Sequence, residues 1–300
     1  MSATALTYQE VLATASAFLA SFKDHTLEVL DISKPPDIDY ALHLAKVISK
    51  LSPMLGNTLE YRLTAELNKK GGWPAGGKWM RQDPGFPDTI FAGSITPTPG
   101  IEIKTWFPLA TEITARFKDS ITHFKENQTN VAMLAWIPES IIFGKPKLID
   151  VWYDSAYSVA LARDTHYHRP PGYLVFEPED TSARSRNLQQ TNTNGYKFQG
   201  TPQQLAEAQI AVDSWGKDGK KFSFSRKYQT KLRTLLARFP YRLDTNFAKM
   251  DRIEHASLEQ FKERVLGSTI GGYPIKEWKG ILMRASRLEN VAIINKLIGL

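Results

Sequence analysis

The 300-residue chain has no cysteine, which excludes disulfides, thiolate zinc sites and cysteine nucleophiles. It has no uninterrupted apolar run of the roughly eighteen residues that a membrane span needs. The opening stretch, MSATALTYQEVLATASAFLASF, carries an apolar helical stripe but no basic start. It reads as an amphipathic helix rather than a signal peptide, so a cytoplasmic protein without a membrane segment is the expectation. There is no G-x-S-x-G nucleophile elbow. GGWPAGGKW holds four glycines but follows no strand and has no Ser or Thr after its lysine. That excludes a phosphate-binding loop and leaves a flexible loop. Internal repeats and low-complexity tracts are also missing.

What is present is an ordinary globular composition, 42% hydrophobic with a net charge of +7, enough for one sizeable core or two. The charge is unevenly placed. Residues 1–180 carry 17 Lys and Arg against 21 Asp and Glu, whereas residues 181–300 carry 21 against 10. An acidic front and a basic back point to a polyanion-binding surface in the second part.

Apolar spacings of three and four predict two helices within residues 5–52, broken at SKPPDID. A third runs through SPMLGNTLEYRLTAELNKK, with Asn57 or Thr58 as N-cap and Gly71-Gly72 as its stop. Leu55, Leu59, Leu63 and Leu67 share its inner face, with Glu60 beside that stripe. Strand-like segments follow: DTIFAGSI, GIEIKTWF, VAMLAWIP, KLIDVWY and GYLVFEP. Between the second and third, LATEITARFKDSITHFKENQ (residues 109–128) suits a helix. An α/β fold with helices on the faces of a sheet is expected. Beyond residue 200 the chain reads as mainly helical. Asn194-Gly195 signals a turn.

Charge inside the apolar stretch FPDTIFAGSITPTPGIEIKTW (residues 86–106) needs a reason. Side chains two apart on a strand share a face, so Glu102 and Lys104 project together. The TPTPG turn folds the two halves antiparallel and brings Asp88 towards Glu102. Two converging carboxylates make an oxygen-rich Mg²⁺ site. A lysine beside them can orient or deprotonate a water, or steady charge on a phosphate. The bland reading is a surface ion pair on an edge strand.

Pro87-Asp88, then thirteen residues, then Glu102-Ile103-Lys104 resembles the signature of the PD-(D/E)XK nuclease superfamily, and Glu60 on the preceding helix fits the acid often found there. The resemblance covers roughly residues 53–160. It implies an αβββαβ restriction-endonuclease-like core, a central mixed sheet flanked by helices, and Mg²⁺-dependent phosphodiester hydrolysis. Asp88 and Glu102 would hold the metal, Lys104 would assist the attacking water, and Glu60 would support the metal site. Within the superfamily the chain looks most like a Type II restriction endonuclease, which implies double-stranded DNA as substrate and a homodimer. GIEIKTWFP is also similar to a strand of MutH-like repair nucleases. A strand-nicking repair enzyme and a non-catalytic DNA-binding protein are the alternatives.

The chain is read as one elaborated domain: N-terminal helices over 1–52, a catalytic core over 53–180, and a basic recognition and helical region over 181–300. Recognition falls on the polar segment TSARSRNLQQTNTNGYKFQGT. There Arg184, Arg186, Asn187, Gln189, Gln190, Asn192, Asn194 and Lys197 are the candidates for reading bases or phosphates. Backbone contact falls on the basic stretch KKFSFSRKYQTKLRTLLAR. His166 and His168, two apart, have no third ligand in view and read as part of a polar loop.

Overall fold

The structure is a computed structural model, described for residues 6–299 apart from 75, 84, 126, 180–187 and 286. Helix α1 (Tyr8–Ala20) opens on a capping box between Thr7 and Glu10 and buries Val11, Leu12, Ala15 and Leu19, satisfying the first-turn amides. Helix α2 (Ile38–Val47) is capped by the Asp37 carboxylate. A short 3₁₀ turn leads into α3 (Ser52–Lys70). The sequence expectation of a start at Asn57 or Thr58 is corrected. Pro53 sits in the first turn, where it lacks an amide that would need an acceptor, and the Thr58 hydroxyl donates one turn back to the Met54 carbonyl. The helix stops at Gly71, whose φ of +65° suits glycine. Its four leucines are buried.

Five strands form one mixed sheet in the order β1-β2-β3-β4-β5: β1 (Lys78–Arg81), β2 (Thr89–Ala92), β3 (Gly100–Trp106), β4 (Thr129–Ser140) and β5 (Phe143–Ser155). β3 and β4 pair parallel and the other neighbours antiparallel. Of GGWPAGGKW, read as a loop, Lys78 and Trp79 instead open strand β1. Trp73, Trp79 and Phe91 pack edge to face and tilted around it. Gly77 leaves room for the Phe91 ring, which any Cβ would overlap.

The helix expected over 109–128 is absent; the described residues of this crossover are irregular. Its buried apolar residues, Ile113, Phe117, Ile121 and Phe124, keep helical spacing, but the buried Asp119 and His123 lie off that face. Its backbone bonds are made at long range instead. Phe117 N donates to Ala248 O at 2.7 Å, Met250 N to Ala115 O at 2.9 Å, Ser120 N to Thr191 O at 3.1 Å and Thr193 N to Lys118 O at 2.6 Å. Those partners satisfy groups that a helix would otherwise pair internally, and Thr111, Ile113, Thr114, Ile121 and Thr122 favour extended backbone.

β5 runs directly into α4 (Ala156–His166). The following elements are β6 (Tyr173–Phe176), the single turn α5 (Leu188–Thr191), β7 (Asn194–Phe198), α6 (Pro202–Asp213), α7 (Arg226–Arg238) and β8 (Tyr241–Asp244). They build a second layer, a three-stranded antiparallel sheet β6-β7-β8. Its own core includes Leu174, Val175, Val212, Tyr228, Leu232 and Phe247. Asn194-Gly195 is therefore a strand start rather than a turn. Gly195 is required because a side chain there would meet the Tyr173 hydroxyl, the Phe247 ring and the Asp244 carbonyl. Last come α8 (Ala256–Gly267), the two-residue strands β9 (Thr269–Ile270) and β10 (Tyr273–Pro274), α9 (Ile275–Met283) and α10 (Leu288–Ile298). Phe261, Val265, Trp278 and Ile294 return to the main core beside the five-stranded sheet. Residues 181–300 are thus divided between two cores, and the part nearest the recognition segment is sheet as well as helix. No described helix is long and apolar enough to cross a membrane.

Candidate active site

The register of β2 against β3 sets Thr89 opposite Ile101 and Ile90 opposite Gly100, so Asp88 enters the sheet across from Glu102. The two strands are locked by their acids. Asp88 N donates to Glu102 Oε2 at 3.1 Å, and Ile103 N donates to Asp88 Oδ2 at 2.6 Å. Lys104 Nζ donates to Glu102 Oε1. β3 is the middle strand of five and Glu102 is only 6% exposed. That excludes the surface ion pair on an edge strand.

Helix α3 brings Glu60 to the rim of this set. Glu60 Oε2 accepts from Arg81 Nη2 at 3.2 Å, and Arg81 Nη1 bridges to Asp83 at 2.9 Å. Glu66, the other acid on the helix, instead pairs with Lys69 at 2.7 Å.

Burial is the main force on the protons. It raises the Glu102 carboxyl well above its ordinary range, and Asp88 adds to the rise. Burial also raises Glu60, again with Asp88 adding. For Lys104, desolvation alone would lower the pKa, but Glu102, Asp88 and Asp119 together outweigh it and the ammonium is favoured. Acid crowded beyond what one lysine balances is an environment suited to a further cation.

Asp88 and Glu102 are the two carboxylates of the site that could hold a metal ion. Among the described residues no group of three or more His, Asp or Glu side chains is arranged around a metal position. Two carboxylates suit an ion that keeps several waters and takes substrate oxygens as its remaining ligands, so the residues present fit Mg²⁺.

Two neighbours escape a reading of the sequence. Arg81 lies on β1, within a segment whose glycines resemble a loop. Asp119, 7% exposed, comes from the irregular crossover. Burial raises its pKa to about 6, although Lys104 and Arg163 pull it down. No local pattern marks either residue; both arrive through tertiary pairing.

The recognition candidates are dispersed. Arg184, Arg186 and Asn187 lie outside the described residues, as does the side chain of Gln189. Gln190 is exposed on α5, Asn192 is half-buried and bridges backbone to backbone with Asp119, and Asn194 and Lys197 lie on β7, Lys197 exposed. On α7, Arg226, Lys227 and Arg238 are exposed, as are Lys220 and Lys221 before it. Lys231 and Arg233 are paired with Asp218 at 2.6 Å and Glu179 at 3.0 Å. His166 pairs with Glu254 at 3.1 Å and His168 accepts from or donates to the Tyr228 hydroxyl at 2.8 Å, so the two histidines do not act as one site.

A scan against protein-family models, a search of curated proteins and a search of solved structures each return no match for the chain.

Proposed function

We propose that this chain is a Mg²⁺-dependent endonuclease that hydrolyses double-stranded DNA at a specific sequence, a PD-(D/E)XK enzyme of the Type II restriction kind. One observation carries the reading: on two adjacent strands at the centre of the sheet, Asp88, Glu102 and Lys104 are drawn together and interlocked. The sequence of α3, β1, β2, β3 and a parallel β4 supports the αβββ part of the expected core. The helix expected before β4 is replaced by the irregular crossover.

In this reading Asp88 and Glu102 hold the metal and Glu60, backed by Arg81, steadies the acidic rim. Bound Mg²⁺ supplies Lewis acidity at the scissile phosphate. Lys104 enters as an ammonium, so it donates to the attacking water or to a phosphate oxygen and orients it. The exposed cations around α7 carry the DNA backbone, and Gln190, Asn192, Asn194 and Lys197 are the described candidates for reading bases. A cytoplasmic homodimer would give each strand of a palindromic site its own centre.

The test is incubation of unmethylated phage DNA with the purified protein in Mg²⁺ and in EDTA. Discrete fragments in Mg²⁺ alone are expected. Nicks without double-strand breaks would replace this reading with a strand-nicking one, and intact DNA from several sources would end it.

A further inference from the structure

A second polar cluster lies beneath the candidate site, and the proposed chemistry does not use it. Its centre is Arg163 of α4, a fully buried arginine. Nε and Nη2 donate to the two carboxylate oxygens of Asp164 at 2.6 and 3.1 Å. Nη1 donates to the Phe117 carbonyl at 2.7 Å, and Nη2 to the Asp119 carbonyl at 3.1 Å. A guanidinium in the interior is tolerated only when its donors are matched in this way. It also lies 5.8 Å from the ring centre of Phe117 and 5.4 Å from that of Phe247. Phe117 belongs to the main core and Phe247 to the second core, so one side chain joins the two.

The segment that Arg163 grips has no regular structure of its own. Its other edge is held by residues 191–193: Thr193 N donates to Lys118 O and Ser120 N to Thr191 O. Thr191 and Thr193 are buried just before β7, in the middle of the recognition segment. Glu177, at the end of β6, closes the cluster. It accepts from the Ser120 hydroxyl and, at 3.3 Å, from the Thr193 hydroxyl. The backbone of residues 117–120 therefore lies between residues 191–193 of the recognition segment and the arginine. It carries Asp119 into the field of Lys104.

We propose that Arg163 is a positioning residue for the reaction: by holding the carbonyls of Phe117 and Asp119 it sets the buried Asp119 carboxylate against the Lys104 side of the site, and ties that placement to residues 191–193 of the recognition segment. The role in turnover rests on the nuclease reading; the grip on the segment does not. Lysine cannot replace arginine here. Its one nitrogen cannot span two carboxylate oxygens and two carbonyls lying in different directions.

The experiment compares wild type, Arg163→Lys and Asp119→Asn in the full chain. For folded variants, single-turnover cleavage with Mg²⁺ is expected to slow on the order of 10²-fold, the cost of misplaced groups in a site. DNA affinity measured with Ca²⁺ should stay within about twofold, since neither residue is placed on the DNA surface. Amide exchange at Ser120 and Thr193 should quicken in Arg163→Lys and stay unchanged along the β3–β4 ladder. Asp119→Asn, nearly the same size, tests the carboxylate even if Arg163→Lys does not fold. Wild-type cleavage rates in both variants would overturn the proposal, as would unchanged exchange at Ser120 and Thr193 in a folded Arg163→Lys. A wild-type chain that cuts no DNA would remove the nuclease reading and the role in turnover, while the exchange measurement would still decide the grip.

Discussion

At the scale of single residues, the site concentrates more acid than its one lysine balances. Asp88 raises the proton affinity of both Glu102 and Glu60, which is repulsion stored in the metal-free state. Asp88→Asn keeps an oxygen for the Ile103 amide and removes one charge. It should raise the melting temperature of the metal-free protein by roughly 2–4 °C, equivalent to about 1 kcal/mol in a chain of this class, and abolish cleavage. An unchanged or lower melting temperature would show that the acids do not repel one another. Asp88, Glu102 and Lys104 are legible in the sequence because a hairpin relates them: alternation along β3 and one turn are enough to place all three. Asp119, Arg81 and Arg163 are not, because each reaches the site through contacts between segments far apart in the chain.

At the scale of elements, β2 to β6 were legible as strand-like segments and α1 and α3 through apolar spacing, whereas β1, β7 and β8 were not. The failures share a cause. Residues 109–128 carry enough polar and apolar alternation to imitate a helix, but their amides and carbonyls pair with residues 191–193 and 248–250 instead. Gly77 and Gly195 look like turn residues when the reason for glycine is close packing, against the Phe91 ring beside β1 and within β7. Gly195→Ala tests that reason. It should destabilise the β6–β7–β8 layer by about 1–3 kcal/mol through overpacking, visible as faster amide exchange across those strands. Exchange in β3 and β4 should be unaffected. A fully stable variant would mean that the glycine serves no packing purpose.

At the scale of the whole molecule, two cores meet at a buried polar seam, and exposed basic residues lie on and before α7 of the second. The seam makes stability depend on pH. Burial, with Asp164 beside it, raises the Glu177 pKa to about 8, so the folded protein keeps a proton that the unfolded chain has already released. Stability from this group is complete below the ordinary carboxyl range and is lost as pH rises towards 8. Asp119 and Glu102, both raised, act in the same direction. The melting temperature should therefore fall between pH 5 and pH 8, and Glu177→Gln should flatten the fall; an equal slope in both proteins would contradict the account. On α7, Lys231 and Arg233 are partnered within the protein while Arg226 and Lys227 are exposed. Replacing Arg226 and Lys227 with alanine should lower the salt slope of DNA binding by roughly one to two, the signature of lost phosphate contacts. An unchanged slope would move the DNA elsewhere. The central claim concerns the interlocked acids and lysine, and its most direct test is the DNA cleavage rate of Lys104→Ala beside wild type in Mg²⁺, with the fold of each checked by its melting curve. The account predicts a folded variant slowed by at least about 10²-fold. A folded variant that cuts DNA as fast as wild type would show that Lys104 and its partners are scaffolding and that the chemistry lies elsewhere.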